Sequence, residues 1–297
     1  MSSESTVLTL GEPGRFRDIY ELTKPRITFL VAVTAAMGFV VASGATIDWI
    51  GLASTVVGTA LVAAGASAFN HHGERFTDAL MERTRNRPLP AGRMEPGVAV
   101  SVGVTASAVG IALLGWKANP LAAFLGLLAL VSYVWVYTPL KRLSPVSTLV
   151  GAIPGALPPM MGWAAARGEI DAGAWALFGI LFFWQLPHFM AIAWLCREDY
   201  ARAGLQMVPV VAPDARSAAR QSVFYAAALV PVSLLPTWLG VADWAYLVSG
   251  FVLSLALLGA ALLFAGSVDE RAAKRLLMAS VVYLPALCLA LVLGRAI

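Results

Sequence analysis

Long apolar stretches separated by short polar ones dominate the pattern of this chain. Each apolar stretch holds about 17 to 23 residues, enough for a helix to cross a hydrocarbon core of about 30 Å with modest tilt. We therefore predict an all-α polytopic membrane protein, a bundle of nine transmembrane helices around a central cavity. The predicted segments are residues 27–43, 51–69, 97–116, 121–137, 146–164, 174–196, 222–239, 246–266 and 276–293.

The cationic residues predict how these helices are oriented. All but three of the 21 Lys and Arg residues fall on the predicted side that carries the N-terminus, the exceptions being Lys117, Arg167 and Arg295. Because Lys and Arg collect in cytoplasmic loops, we expect residues 1–26 to form a cytoplasmic tail. Residues 27–297 are expected to form one intramembrane domain. The tail lacks the order of basic, apolar and small residues that marks a cleaved signal, so the first helix should be retained.

Composition agrees with a membrane protein and argues against other classes. The 297 residues are 59% hydrophobic and only 13% charged, which is too apolar for a soluble domain. The formal net charge of +4 arises from cations spread among short loops, so it does not indicate a nucleic-acid-binding surface. The two cysteines, Cys196 and Cys288, are far apart and offer neither a disulfide framework nor a metal-binding pair.

The longest strongly charged run, residues 70–93, interrupts the apolar pattern. Asn70, Glu74 and Asp78 are spaced four residues apart, so on a helix they lie within about 80° of one another and form one ridge of oxygen atoms. Such hard oxygen ligands suit Mg²⁺, which usually keeps several waters and is shared with substrate phosphates. We expect this helix to continue through Arg83 and then to stop in the proline-containing segment that follows.

Guanidinium groups follow these carboxylates at once. Arg83 and Arg87 lie within ten residues of Asp78, and guanidinium groups hold phosphate oxygens through two parallel hydrogen bonds. A metal-bridged diphosphate fits this set of side chains. The alternative is a cytoplasmic loop whose basic residues only orient the membrane helices, because charge runs are usually solvated.

The same run resembles a known motif. Its pattern Asn-x-x-x-Glu-x-x-x-Asp, followed by Arg-Thr-Arg-Asn-Arg-Pro-Leu-Pro at residues 83–90, is similar to the first aspartate-rich motif of the UbiA-type intramembrane prenyltransferases. Residues 78–84 most resemble the branch of that superfamily that prenylates haem b. Two positions depart from the broader pattern: His71 stands where Asp is common, and Glu74 replaces the usual Asp. The resemblance extends over residues 19–213 and is weaker in the last three helices.

A second charged run, residues 197–210, follows the sixth predicted helix and ends in a proline-containing segment. It contains Glu198 and Asp199 and resembles the second acidic motif of the superfamily. Because it lies four helices after the first run, both should lie on the same side of the membrane, where they could face each other across one cavity. Without the resemblance, these carboxylates are equally well explained as ordinary charges at a membrane edge.

His188 is the only histidine within a predicted membrane segment, and its Pro-His-Phe run also resembles the haem-prenylating branch. An ionisable group at that depth is a functional hypothesis by default. His188 could contact the haem iron or a propionate, or move a proton. Equally, it could be a neutral histidine that donates to a backbone carbonyl freed by Pro187.

The resemblance implies a reaction and its participants. Farnesyl diphosphate and haem b would give haem O and diphosphate, with Mg²⁺ as cofactor, in the bilayer of the inner membrane. A haem A synthase or an oxidase assembly factor is the implied protein partner, and no nucleic acid is expected. The implied catalytic residues are Asn70, Glu74, Asp78, Lys141 and Asp199. The implied metal ligands are Asn70, Glu74, Asp78, Glu198 and Asp199. The implied substrate contacts are Lys24, Arg26, Arg83, Arg87, Arg142, Arg197 and His188.

Two other functions fit parts of the sequence. A related prenyltransferase with a different aromatic or lipophilic acceptor would use the same metal motif. A transporter for an anionic solute would fit the proline-rich helices and the repeated charged loops. Lys24 and Arg26, taken singly, are equally well explained as anchors at the membrane edge.

Overall fold

The computed structural model describes residues 13–212, 214 and 216–296. In this part of the chain, nine helices are long and apolar enough to cross a membrane, and no residue lies in a β-strand. The prediction of an all-α polytopic membrane protein is therefore confirmed. The side of the membrane on which the N-terminus lies stays a prediction.

Most of the helices follow one another with short connections, and the connection over residues 79–95 is longer. They are α1 (Pro13–Leu22), α2 (Pro25–Ala42), α3 (Trp49–Asp78), α4 (Pro96–Lys117), α5 (Pro120–Val131), a π-helix (Ser132–Tyr137), α6 (Thr138–Leu140), α7 (Ser147–Arg167), α8 (Ala172–Leu195), α9 (Arg197–Arg202), α10 (Val208–Val211), α11 (Ser217–Trp238), α12 (Trp244–Ser267) and α13 (Glu270–Leu293). The spans long enough for a membrane are α2, α3, α4, the run from α5 through α6, α7, α8, α11, α12 and α13.

Helix α3 has 30 residues and extends well beyond its predicted apolar segment. It begins after Asp48, whose side chain accepts a hydrogen bond from the Ile50 N–H and so caps the first turn. It ends at Asp78. Asn70, Glu74 and Asp78 therefore share one continuous helix, as their spacing predicts.

The predicted continuation of this helix to Arg83 is wrong. After Asp78, the chain continues as a series of hydrogen-bonded turns and not as a regular helix. The Thr84 hydroxyl donates to the Asp78 carbonyl oxygen at 2.9 Å. The Glu82 N–H donates to the Asp199 carboxylate at 3.3 Å. Side-chain groups thus replace the helical partners, and contact between the two charged loops helps to set where α3 ends.

The fourth membrane span is not a uniform α-helix. It is α-helical from Pro120 to Val131 and then widens into the π-helix before α6. A π-helical turn is rare and often occurs at a functional site. Here it contains Tyr133 and Tyr137, which both line a cavity of about 410 Å³.

Helices α2 and α7 cross with their backbones in direct contact. A Cβ atom added to Gly162 of α7 would lie 1.9 Å from the Ala35 carbonyl oxygen of α2, and one added to Gly38 would lie 2.0 Å from the Pro159 carbonyl oxygen. Only glycine permits such an approach. The three prolines within α7 leave it one continuous helix, so this crossing forms a fixed part of the frame around the site.

Candidate active site

A cavity of about 410 Å³ lies where the end of α3 meets both charged loops. We call it the charged cavity. Its lining residues come from widely separated parts of the chain, which the fold brings together at one end of the bundle. They are Glu21, Lys24, Ile27, Asn70, His71, Glu74, Asp78, Met81, Arg83, Arg87, Tyr133, Tyr137, Lys141, Tyr200, Leu205 and Met207.

The predicted ridge of oxygen atoms forms one wall of the charged cavity. Asn70 and Asp78 are each 1% exposed, and the Glu74 side chain is 14% exposed. All three lie on the last turns of α3, where successive fourth residues project from one helix face. Each is approached by a cation from a different part of the chain.

Lys24 reaches Asn70 from the junction between α1 and α2. Its Nζ donates to the Asn70 Oδ1 at 3.0 Å, and the Asn70 Nδ2 donates to the Thr138 hydroxyl at 3.3 Å. Lys24 adopts a left-handed conformation with φ of 45° directly before Pro25, a region that residues other than glycine rarely occupy. Burial, and then the nearby Arg87, lower the pKa of Lys24 to about 7.

Lys141 pairs with Glu74, the second member of the ridge. Its Nζ lies 2.7 Å from the Glu74 Oε1, and both side chains are mostly buried. The same ammonium lies 4.5 Å from the centre of the Tyr137 ring. Burial by itself would lower the pKa of Lys141, but Tyr137 and Glu74 outweigh burial and raise that pKa above its usual value. The carboxylate of Glu74 and the ring of Tyr137 thus both favour the charged form of Lys141.

Arg87 pairs with Asp78, the last member of the ridge. The Arg87 Nη1 lies 2.7 Å from the Asp78 Oδ2. The other carboxylate oxygen, Oδ1, is buried and has no hydrogen-bond partner among the described residues. A buried carboxylate oxygen without a partner is costly, so the geometry leaves one strong acceptor free for a ligand.

The ridge fits a Mg²⁺ ion that is shared with a substrate. Within the described part of the chain, no cluster of three or more His, Cys, Asp or Glu side chains is close enough to hold a metal ion alone. Mg²⁺, however, is commonly held by one or two carboxylates, water and substrate phosphates. Asn70, Glu74 and the free oxygen of Asp78 supply that kind of oxygen set.

The structure brings together only some of the predicted substrate contacts. Lys24, Arg83 and Arg87 line the charged cavity, whereas Arg26, Arg142, Arg197 and His188 do not. Arg26 and Arg142 are exposed. The Arg197 guanidinium lies 4.3 Å from the centre of the Trp194 ring and donates to the Trp194 carbonyl at 3.0 Å.

Glu198 and Asp199 also lie outside the residues that line this cavity. The Glu198 side chain is 81% exposed. Asp199 accepts hydrogen bonds from the Arg202 guanidinium and the Glu82 N–H, and the bond from Arg202 holds the pKa of Asp199 below its usual value. The adjacent Tyr200 does line the cavity. The second charged loop thus forms part of the wall, and a metal-binding role for its carboxylates stays a prediction.

His188 lies on α8, and its side chain contacts α13. Its Nδ1 is 2.8 Å from the Ser280 hydroxyl, and its ring stacks on Trp184 with 5.5 Å between ring centres. The Trp184 N–H donates to the Ser280 carbonyl at 2.8 Å. This cluster joins the two helices, and a contact between His188 and haem stays a prediction.

The aromatic wall of the charged cavity is not among the residues predicted from the sequence. It consists of Tyr133, Tyr137 and Tyr200. Tyr133, Tyr137 and Lys141 are spaced four residues apart, which is the same periodicity that reveals the ridge. That signal is present in the sequence. The alignment of Thr138 with Asn70 has no comparable signal, because it depends on how two helices pack.

Comparison with protein families and curated proteins yields consistent matches. The model of the UbiA prenyltransferase family matches residues 31–282. A protoheme IX farnesyltransferase of Solibacter usitatus is 46% identical over 278 residues, covering 91% of this chain and 95% of that protein. The protoheme IX farnesyltransferase of Koribacter versatilis is 42% identical across the full length of both chains. That of Myxococcus xanthus is 45% identical and covers 94% of each.

Solved structures share the fold at low sequence identity. One, from work on digeranylgeranylglyceryl phosphate synthase in membranes, superposes with a TM-score of 0.79 at 15% identity, covering 94% of this chain and 98% of that chain. A UbiA homolog from Archaeoglobus fulgidus, bound to GPP and Mg²⁺, gives a TM-score of 0.61 at 17% identity, covering 92% and 99%. At these identities the likeness concerns the fold alone.

Proposed function

The chain belongs to the UbiA prenyltransferase family, and on that premise we propose that it transfers the farnesyl group of farnesyl diphosphate to a vinyl group of haem b. The products are haem O and diphosphate. Relatives named protoheme IX farnesyltransferase support this choice of substrates, because the alignments cover more than nine-tenths of the chain. The observation that carries the proposal is the charged cavity, where an oxygen ridge faces four cations.

The cations of the charged cavity would bind the diphosphate. Lys24, Arg83, Arg87 and Lys141 line it from different segments. Lys141 and Arg87 are held in place by Glu74 and Asp78 at 2.7 Å, so their positions are set before the substrate arrives. Preorganised positive charge stabilises a leaving group as its negative charge develops, and this effect is often the largest in an enzyme.

Asn70, Glu74 and Asp78 would hold a Mg²⁺ ion beside the diphosphate. When bound there, the ion would add charge stabilisation to the departing group. The free Oδ1 of Asp78 supports this assignment, as does the shared fold of the A. fulgidus homolog that is bound to GPP and Mg²⁺. Glu198 and Asp199 remain proposed additional ligands, which would require the second charged loop to move towards the ridge.

The reaction joins one carbon of each substrate. As the C1–O bond of farnesyl diphosphate breaks, its electron pair leaves with the diphosphate, and the π electrons of the haem vinyl group form the new bond to C1. Water then adds to the cationic carbon next to the porphyrin and loses a proton, which gives the hydroxyethylfarnesyl group. The wall formed by Tyr133, Tyr137 and Leu205 would limit access of water to C1 before the acceptor reacts.

The nine spans found among the described residues make this a multi-pass membrane protein. We place it in the inner membrane with its N-terminus and the charged cavity on the cytoplasmic side, because most of its Lys and Arg residues lie in loops of that side. Its product would pass to a haem A synthase or an oxidase assembly factor, the partner that the proposed reaction implies.

Mass spectrometry of the reaction products would test this function. Purified protein in detergent would be incubated with haem b, farnesyl diphosphate and Mg²⁺, beside a sample that contains a chelator. We expect a hydroxyethylfarnesyl porphyrin that is absent from the chelated sample. In a parallel reaction, a prenylated phenol formed without any porphyrin product would identify a different acceptor. If no diphosphate is released with any acceptor, the transferase assignment itself is wrong for this chain.

A further inference from the structure

His71 is a buried polar side chain whose hydrogen-bonding capacity is unused. It is 1% exposed and lines the charged cavity. Neither Nδ1 nor Nε2 has a hydrogen-bond partner among the residues that the structure describes. In a neutral imidazole, one ring nitrogen donates and the other accepts, and leaving both unsatisfied away from water is costly. Because this ring lines the charged cavity, a ligand bound there would supply the missing hydrogen bonds.

The surroundings of His71 indicate an anionic ligand. Lys24 donates to Asn70, the residue directly before His71, and Arg87 lines the same cavity. Imidazole is also a poor choice for Mg²⁺, which prefers oxygen ligands. His71 lines the same cavity as Lys24 and Arg87 and is a poor ligand for the metal. In the proposed reaction, the ligand atoms that suit it are the phosphate oxygens of the prenyl donor.

We propose that the imidazole of His71 donates a hydrogen bond to the diphosphate of the prenyl donor. This inference rests on the proposed function, since it assigns a further binding residue to the same reaction. His71 then acts with Lys24 and Arg87 on the leaving group, while Asn70 and Asp78 on the same helix face the metal ion. Adjacent residues of α3 thus serve the anion and the cation separately.

The charge balance of the cavity agrees with this division. With Lys24 protonated, its lining carries one more positive than negative side chain, and with Lys24 neutral the two are equal. A bound diphosphate would favour the protonated form of Lys24, because a nearby opposite charge stabilises the charged form, and the remaining negative charge of the diphosphate would be balanced by a divalent ion. A carboxylate at position 71 would remove the excess, and binding would then require more metal.

Binding of a non-hydrolysable donor tests the proposal without turnover. Isothermal titration would measure the Kd of farnesyl thiolodiphosphate at fixed Mg²⁺ for the natural protein and for three variants. We expect His71→Ala to raise the Kd about tenfold, the loss typical of a hydrogen bond to a charged group. His71→Asn keeps an N–H donor and should remain within a few-fold of the natural protein. His71→Asp should bind the analogue weakly at low Mg²⁺, and its Kd should depend more steeply on Mg²⁺ concentration.

His72→Ala provides the matched control. His72 is the next residue of α3 and does not line the charged cavity, and its carbonyl and ring nitrogen face Arg75. We expect its Kd for the analogue to be unchanged. The thermal unfolding of every variant would be recorded, and the comparison of His71→Asn with His71→Asp remains decisive if the alanine variant is unstable.

Two outcomes would overturn the proposal for His71. One is an unchanged Kd for the analogue in His71→Ala and His71→Asp. The other is a loss of haem binding, followed by Soret absorbance, with unchanged analogue binding, which would assign His71 to the acceptor. If the natural protein itself fails to bind the analogue in the presence of Mg²⁺, the proposed function fails, and this inference fails with it.

Discussion

Two cavities lie at opposite ends of α2 and differ in how their polar atoms are satisfied. The charged cavity includes Lys24, directly before α2, whereas a second cavity of about 250 Å³ includes Val41, near its last residue. At 1.5 Å per residue these positions are about 25 Å apart along the helix axis. Both cavities contain an arginine paired with an aspartate, so the pairs can be compared directly.

In the second cavity the ion pair completes the ends of helices. The Arg167 guanidinium donates to Asp171 at 3.0 Å and to the Ala42 carbonyl at 3.1 Å. Asp171 also accepts hydrogen bonds from two backbone N–H groups in the first turn of α8. Both charges are thus committed to the fold. One buried donor at this end lacks a partner among the described residues, the indole N–H of Trp163.

In the charged cavity, some hydrogen-bonding atoms lack a partner among the described residues. Asp78 uses one oxygen on Arg87 and keeps the other free, and His71 uses neither ring nitrogen. The presence of an Arg–Asp pair therefore does not identify a binding site in this protein. What distinguishes the charged cavity is that a charged side chain, Asp78, keeps an oxygen without a partner among the described residues, and the predictions below test that distinction.

The largest expected difference between the two cavities comes from neutralising the aspartate of each pair. Asp78→Asn should lower kcat about a hundredfold to a thousandfold, because it removes a preorganised charge at the proposed metal and leaving-group site. Asp171→Asn, the matched change in the second cavity, should leave turnover unchanged, since asparagine also caps helices. Product formation by purified protein would measure both. Near-normal turnover by folded Asp78→Asn would refute the metal assignment.

A stability difference is expected when the cation of a pair is removed. Lys141→Met leaves the mostly buried Glu74 carboxylate without a partner, which should cost about 3–5 kcal/mol. Arg167→Met breaks a pair whose side chains are 45% and 33% exposed, so about 1 kcal/mol is expected. Chemical unfolding in detergent would measure both, and Glu74→Gln added to Lys141→Met should restore part of the loss. Equal losses from the two single variants would contradict the distinction.

An intermediate effect is expected for the second charged loop. Asp199→Asn should lower turnover about tenfold, because the carboxylate now bonds Arg202 and the Glu82 N–H and so positions one loop against the other. The same turnover assay would be used, with Asp214→Asn as a control on a pair whose side chains are both more than two-fifths exposed. A loss as large as that of Asp78→Asn would instead support the predicted role of Asp199 as a metal ligand.

The smallest effect is expected at His188. His188→Ala should raise the KM for haem a few-fold and leave the Kd of farnesyl thiolodiphosphate unchanged, because His188 does not line the charged cavity. Ser280→Ala removes the hydroxyl that faces the same ring and serves as the control for lost packing. If both variants weaken haem and donor equally, His188 serves the contact between α8 and α13 and not the acceptor.

Much of the frame could be predicted because it depends on local pattern. Apolar length reveals the nine spans, and fourfold spacing reveals the ridge from Asn70 to Asp78. Where α3 ends could not be predicted, because Thr84 and Asp199 supply hydrogen bonds that local sequence does not show. Local sequence rules place the end of this helix in the proline-containing segment after Arg83, whereas α3 ends at Asp78.

The composition of the site was less predictable than its location. Lys24 and Lys141 meet Asn70 and Glu74 across 46 and 67 residues of chain, and such pairings arise from packing. His71 was visible in the sequence only as a departure from a motif. Its importance depends on the lack of any partner among the described residues, which is a property of the folded arrangement.

The π-helix at Ser132–Tyr137 makes the site sensitive to the length of the chain as well as to its residues. Each residue added to or removed from a helix turns every following side chain by about 100°. Thr138 and Lys141, which come directly after this wider turn, meet Asn70 and Glu74 only at the present count. Conservative exchanges within the segment would keep that rotational setting, whereas deletion of a single residue would turn the ammonium of Lys141 away from the ridge.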